Sequence, residues 1–175
     1  NFNNIIQKDK SFSLKYILAL FNSSLINYWY KTHFDNVNIN PEQVRMIPIK
    51  KVPIEVQNVF IILVDYINFI KNLNDTELII KQIPNDYIVQ LFVELIDACV
   101  YELYFEDDFK KANIEFMKYA QKDFLSIEGK TDKEVKEAIH SIYQELNIKD
   151  NEIRQNLKLI DTRLSSLISP IKTSN

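Results

Sequence analysis

The chain has 175 residues, of which 46% are apolar and 26% are charged, and its formal net charge is −3 at pH 7. This composition is typical of a folded domain and excludes disorder over most of the chain. The sequence contains no run of about 18 apolar residues, so we expect no membrane-spanning helix and no membrane partner. Its one cysteine, Cys99, excludes an intrachain disulfide and a cysteine-rich zinc site, and it indicates a reducing, cytoplasmic setting.

The charge is distributed unevenly along the chain. Residues 1–53 contain seven lysine or arginine residues against three acidic ones, whereas residues 54–175 contain fourteen against twenty-one. Such an asymmetry indicates different partners for the two parts. We therefore describe 1–53 as a basic helix followed by an extended segment, and 54–175 as a helical C-terminal region. Because the first residue is Asn1 and not methionine, we expect one piece of a longer protein.

Glycine is almost absent from the sequence, since Gly129 is the only one. Tight hairpins and phosphate-binding loops need residues with positive φ, most often glycine. The sequence therefore excludes a Rossmann dinucleotide site and a P-loop, both of which need several glycines. It favours helices joined by Asn, Asp and Pro. We predict a mainly α fold, a helical domain with one small extended or β segment near residues 44–52.

The first predicted helix runs from about Ser13 to Thr32, with Ser11 or Ser13 as its N-cap. Apolar residues recur along it at steps of three and four, which predicts one buried face. That face consists of Leu14, Ile17, Leu18, Phe21, Leu25, Tyr28 and Trp29. Asn22 and Ser23 lie off it.

An extended segment is predicted after the loop NVNINPEQ. Residues 44–55 alternate in polarity and contain Pro48 and Pro53. Because proline has no N–H to donate to a central ladder, the segment is predicted to be an edge segment or a short strand.

The remainder of the chain is predicted to be helical, with acidic residues near the start of each helix. The predicted helices are Ile54–Leu73, Asp86–Phe105, 106–124, Asp132–Leu146 and Asp150–Ile168.

No catalytic pattern is found among the reactive side chains. His33 and His140 are far apart in sequence and have no neighbouring ligand at metal-binding spacing. Cys99 lies on an apolar helix face with Leu95 and Leu103, which predicts a buried thiol and not a nucleophile. The acidic residues of this region form either a solvated helix face with an N-terminal cap or an oxygen-ligand metal site. These residues are Glu94, Asp97, Glu102, Glu106, Asp107 and Asp108.

The C-terminal end of the first helix is the better candidate for a binding surface. Tyr30, Lys31 and His33 lie off the apolar face, and aromatic rings stack on bases while cations neutralise phosphates. If the extended segment folds back beside this helix, its cations line the same edge. Those cations are Arg45, Lys50 and Lys51. The alternative is that Lys50 and Lys51 are edge-strand lysines that discourage aggregation.

Two stretches of the sequence resemble TaqI-like adenine-specific DNA methyltransferases. YILALFNSSLINYWYKTHF (16–34), followed by VRMIPIKKVPI (44–54), is similar to the start of their target-recognition region. LIDACVYELYFEDDF (95–109) is similar to a segment near the C-terminus of these enzymes and of single-chain type II restriction–modification enzymes. The later IYQELN…IRQNLKLID also resembles their final helices.

The resemblance implies a C-terminal, non-catalytic fragment that recognises or positions double-stranded DNA. The parent would be an adenine methyltransferase, alone or fused to an endonuclease. Its catalytic domain would bind S-adenosylmethionine and would be the second expected partner of this chain, besides DNA. The expected DNA-binding residues are Tyr30, Lys31, His33, Asn36, Arg45, Lys50 and Lys51.

The chain departs from the family at the catalytic Asn-Pro-Pro-Tyr element, which is absent because Glu42 follows Asn40-Pro41. We therefore assign the chain no catalytic residue, no metal and no cofactor of its own. The alternative hypothesis is a helical docking or dimerisation module that does not contact nucleic acid.

Overall fold

The computed structural model describes residues 9–34, 40–74 and 77–173. Over these ranges the chain forms ten helices and no sheet, and Ile80 and Ile83 form an isolated bridge. The predicted mainly α class is confirmed. The helices are α1 (Leu14–Phe21), α2 (Ser24–His33), α3 (Pro41–Arg45), α4 (Ile54–Lys71), α5 (Asn85–Tyr104), α6 (Glu106–Ala112), α7 (Met117–Asp123), α8 (Asp132–Leu146), α9 (Glu152–Arg163) and α10 (Ser165–Thr173).

Three of the predicted helices agree with the structure to within two residues at each end: α4, α5 and α8. Strong local signals mark their ends. Pro53 and Pro84 precede α4 and α5, and Thr131 forms a capping box with Glu134 at the start of α8.

The first predicted helix is in fact two, α1 and α2, separated by Asn22 and Ser23. Ser23 has an extended backbone, with φ −73° and ψ 147°. Its Oγ donates to the carbonyl oxygen of Leu20 at 2.7 Å and accepts from the N–H of Ile26 at 3.3 Å. The serine thus caps α2, and the prediction of one continuous helix is wrong. Ser23 is also buried, although it lies off the predicted apolar face.

The buried face of α1 differs from the predicted one. Leu14 is 44% exposed and Leu18 is 45% exposed, whereas Tyr16 and Leu20 are fully buried. The reason is the packing of α1 on α4, where the ring of Tyr16 lies 5.3 Å from that of Phe60. The predicted face omits Tyr16 and Leu20, the fully buried residues of α1.

Two more predicted helices are each divided. The stretch 106–124 forms α6 and α7, because Asn113 adopts a left-handed conformation with φ 53° and the N–H of Ile114 closes on the carbonyl of Phe109 at 3.1 Å. The last predicted helix forms α9 and α10, with the break at Leu164.

The predicted extended segment keeps only part of its length, since residues 44 and 45 belong to α3. From Pro48 to Pro53 the described chain is neither helix nor strand. Two tyrosine hydroxyl groups form hydrogen bonds with its backbone, in place of the bonds that a neighbouring β-strand would make. Tyr16 Oη donates to the carbonyl of Lys50 at 2.8 Å, and Tyr104 Oη donates to that of Pro48 at 2.6 Å and accepts from the N–H of Lys50 at 3.1 Å.

The hydrophobic core includes residues from before and after position 54, such as Leu20 and Ile26 on one side and Leu63 and Leu95 on the other. Among the described helices, none has the length and apolar character needed to cross a membrane.

Candidate nucleic-acid interface

The C-terminal turn of α2 carries an aromatic cluster with a histidine on it. The rings of Trp29 and His33 are stacked, with centroids 4.3 Å apart and an angle of 22° between their planes. The edge of Phe34 lies against Trp29 at 5.8 Å. Trp29 is therefore half-buried beside His33, and its predicted place in the core is wrong.

Tyr30 connects this turn to α3. Its Oη donates to Oε1 of Gln43 at 2.7 Å, and its ring is tilted on Phe34 at 5.0 Å. Gln43 is itself fixed, because its Oε1 also accepts from the N–H of Asn40 in the capping box of α3. The last turn of α2 and the helix α3 are thereby held together.

We call this the α2–α3 corner and define it by Tyr30, Lys31, His33, Gln43 and Arg45. Lys31 and His33 are exposed, as their position off the apolar face predicts. Arg45 is also exposed and forms an ion pair with Glu42 on the same helix. The corner thus presents cationic or titratable side chains on two helices that one hydrogen bond joins.

Lys50 and Lys51 are placed differently from each other. The ammonium of Lys50 donates to the carbonyl oxygen of Leu103 at 2.6 Å, at the C-terminal end of α5, and lies 4.0 Å from a carboxylate oxygen of Glu106. Its charge therefore lies at the negative, C-terminal end of a helix. Lys51 is exposed and lines a surface cavity with Lys10. Asn36 lies outside the described residues.

Asp97 joins α5 to the start of α2. Its carboxylate accepts from the N–H of Ser24 at 2.7 Å and from the Oγ–H of the same serine at 2.6 Å. Burial raises the pKa of the Asp97 carboxyl, and the two bonds from Ser24 oppose that shift. The contact also joins the stretch 16–34 to the stretch 95–109.

Glu102 has a similar role at the start of α7. One of its carboxylate oxygens accepts from the N–H groups of Phe116 and Met117, at 2.7 and 2.8 Å. Burial raises the pKa of Glu102, against the effect of these two donors. Asp97 and Glu102 are therefore helix caps supplied from α5. Among the described residues, no group of His, Cys, Asp and Glu side chains is arranged to hold a metal ion.

Sequence analysis missed these two caps because the donors are distant in the sequence. The sequence feature that could have indicated the two caps is an acidic residue next to buried positions of an apolar helix. Asp97 and Glu102 both lie at such positions. Cys99, by contrast, is fully buried as predicted, and burial raises the pKa of its thiol well above the usual value. A thiol of this kind is a poor nucleophile.

Comparisons with protein-family models, curated proteins and solved structures gave no match to this chain.

Proposed function

We propose that the chain is a non-catalytic DNA-positioning module of an adenine methyltransferase or restriction–modification enzyme, and that the α2–α3 corner contacts the DNA backbone. The observation that carries the proposal is the hydrogen bond of 2.7 Å between Tyr30 and Gln43. It holds the exposed Lys31, His33 and Arg45 on one corner of the fold. Phosphate contacts of this kind position a duplex without reading its sequence.

The backbone of the α2–α3 corner is already ordered before any DNA binds. The capping box of α3 and the Tyr30–Gln43 bond fix its backbone, so a duplex would order only a few long side chains on arrival. The Trp29–His33 stack fixes the imidazole in the same way. Lys50 lies outside the corner in this proposal, and its ammonium donates to the carbonyl of Leu103 at the end of α5.

Two further points support the proposal. The bond between Ser24 and Asp97 brings together the two stretches on which the resemblance rests. The acidic part of the chain, after residue 53, is left for contacts other than DNA, and the catalytic domain that binds S-adenosylmethionine is the partner we propose for it. A cytoplasmic setting belongs to the same proposal.

Neutralising the corner is expected to weaken DNA binding in a salt-dependent way. Each phosphate that a protein cation neutralises contributes roughly 0.9 to the slope of log affinity against log salt concentration. The double variant Lys31→Gln/Arg45→Gln should therefore lower the slope by roughly 1.8. The measurement is a fluorescence-anisotropy titration of labelled duplex DNA over a series of salt concentrations.

The matched control is Lys149→Gln/Lys158→Gln, which removes two exposed lysines near and within α9. This variant has the same net charge change and should keep the wild-type slope. Equal losses in the two double variants would show that binding follows net charge, and absence of binding at low salt would contradict the proposal.

One observation favours a docking module as the second candidate function. Leu14 and Leu18 are 44% and 45% exposed, and they lie one turn apart on α1. Contiguous exposed apolar surface is what a protein–protein contact buries, and these two side chains would form part of it. Here the occupant would be a second copy of the chain.

If this candidate function is correct, sedimentation velocity over a concentration series should show self-association in the wild type. Leu14→Gln/Leu18→Gln should abolish it, because the polar amides are costly to bury. Leu125→Gln changes another leucine, which is 67% exposed, and should leave the association intact. A wild-type chain that is monomeric throughout the series excludes this dimer.

A further inference from the structure

His33 has one ring nitrogen whose role is fixed by the fold. Its Nδ1 lies 2.7 Å from the carbonyl oxygen of Trp29. A carbonyl oxygen only accepts hydrogen bonds, so this contact requires a hydrogen on Nδ1 in the neutral ring as well as in the charged one. The hydroxyl of Thr32, 3.2 Å from Nδ1, donates its own hydrogen to the carbonyl oxygens of Tyr28 and Trp29 and so does not compete for that role. The neutral ring therefore has its lone pair on Nε2, and protonation converts Nε2 from an acceptor into a donor.

We propose that His33 is a proton-gated phosphate ligand, which binds a DNA phosphate through Nε2–H when the ring is charged and not when it is neutral. The inference rests on the proposed function and adds to it a regulation of the same site. A phosphate oxygen offers only lone pairs, so a neutral Nε2 repels it. Histidine is the side chain whose ordinary charge change falls between about pH 5 and pH 8.

The ring of His33 stacks on the face of Trp29. Near the ring, α2 carries the exposed Lys31, and α3, which is joined to α2 through Tyr30, carries Glu42 and Arg45 as an ion pair.

Charged side chains on three helices that contact α2 lie at its opposite end or are paired. Asp97 of α5 and Lys172 of α10 line a cavity beside Ser24, the first residue of α2, whereas His33 is its last residue. From α1, which also contacts α2, Lys15 pairs with Asp65. In the described part of the chain, the charged groups named at the His33 end of α2 are therefore Lys31, Glu42 and Arg45.

The test is a titration of labelled duplex DNA over a salt series at about pH 7.5 and about pH 5.5, with four forms of the chain. In the wild type, the slope of log affinity against log salt should be steeper by roughly 0.9 at the lower pH, as one added phosphate contact requires. His33→Gln should have the same slope at both pH values. His33→Lys, which stays charged, should have the steeper slope at both.

The matched control is His140→Gln, because His140 is exposed on α8 and is the only other histidine of the chain. This variant should keep the wild-type difference between the two pH values. If wild type and His33→Gln respond equally to pH, the inference about His33 is overturned while the proposed function stands. If no form binds DNA at either pH, both are overturned.

A second measurement needs no DNA. Nitrogen-15 NMR of the imidazole at high pH should show the Nδ1–H tautomer for His33, as the contact with Trp29 requires. The Nε2–H tautomer would overturn the inference, since a neutral ring would then already present a donor.

Discussion

Replacing Gln57 by leucine is expected to lower the free energy of unfolding by about 2–4 kcal/mol. Gln57 is fully buried in α4. Its Oε1 accepts from the N–H of Ser13 at 2.8 Å, and its Nε2 donates to the carbonyl oxygens of Ser11 at 2.7 Å and Val52 at 3.0 Å. Leucine fills a similar volume but leaves these three backbone groups without their partner. Each such group costs about 1–3 kcal/mol when fully buried, and the cost is at the lower end here because Ser11 is exposed and Ser13 and Val52 are half-buried.

Urea denaturation of the wild type and the variant measures this loss. Gln90→Leu is the matched control, because Gln90 is exposed on α5 and its replacement should change stability by less than about 0.5 kcal/mol. Gln57→Glu keeps the acceptor but loses both donated bonds and buries a charge, so it should be at least as destabilising as leucine. Equal stabilities for Gln57→Leu and Gln90→Leu would show that the three bonds contribute nothing.

Gln57 matters for the candidate site because it determines where two segments lie. Through it, α4 holds the start of α1 at Ser11 and Ser13 and the extended segment at Val52. Lys51 immediately precedes Val52, and α1 leads into α2 and its corner. Replacing Gln57 should therefore weaken DNA binding because the binding residues are displaced, not because a charge is removed. The slope of log affinity against log salt should stay the same for the protein that still binds.

The helices that sequence analysis predicted correctly are those with strong local signals. The boundaries of α4, α5 and α8 follow from proline and threonine at their starts and from long apolar patterns. The divided helices contain a local competitor that the periodicity hides. Ser23 and Asn113 each stop a helix through their own backbone conformation, one extended and one left-handed.

The candidate site was predictable in part, for the same physical reason. Lys31 and His33 lie off any apolar face of their helix, and both are exposed. The hydrogen bond from Lys50 to the carbonyl of Leu103 was not predictable, because those residues are 53 positions apart in the sequence. The burial of Gln57 was likewise not predictable, since a polar residue in a helical pattern is normally placed in water.

The second large effect is expected at Glu102, where truncation to alanine should lower the free energy of unfolding by about 2–4 kcal/mol. The N–H groups of Phe116 and Met117 both donate to one oxygen of this carboxylate. Alanine leaves two N–H groups at the start of α7 unpaired. Glu94→Ala, an exposed position on the same helix, is the control and should stay within about 0.5 kcal/mol of the wild type.

The Glu102→Gln variant distinguishes the effect of the hydrogen bonds on stability from the effect of the charge. Its amide oxygen can accept both N–H groups, so Glu102→Gln should be far less destabilising than Glu102→Ala. Burial holds the pKa of Glu102 above its ordinary value of 4.5, which means that the folded chain binds this proton more tightly than the unfolded chain does. The ionised form therefore costs stability at neutral pH, and the cost is relieved as the pH falls through the folded pKa towards 4.5.

Urea denaturation of the wild type and Glu102→Gln from neutral pH downwards tests that sign. The stability of the wild type minus that of Glu102→Gln should increase as the pH falls, because only the wild type gains from protonation at this position. The carboxyl groups of Asp97 and Asp123, whose pKa values burial also raises, are present in both proteins and cancel in the difference. A difference that decreases with falling pH would mean that the bonds from Phe116 and Met117 outweigh the burial of the charge.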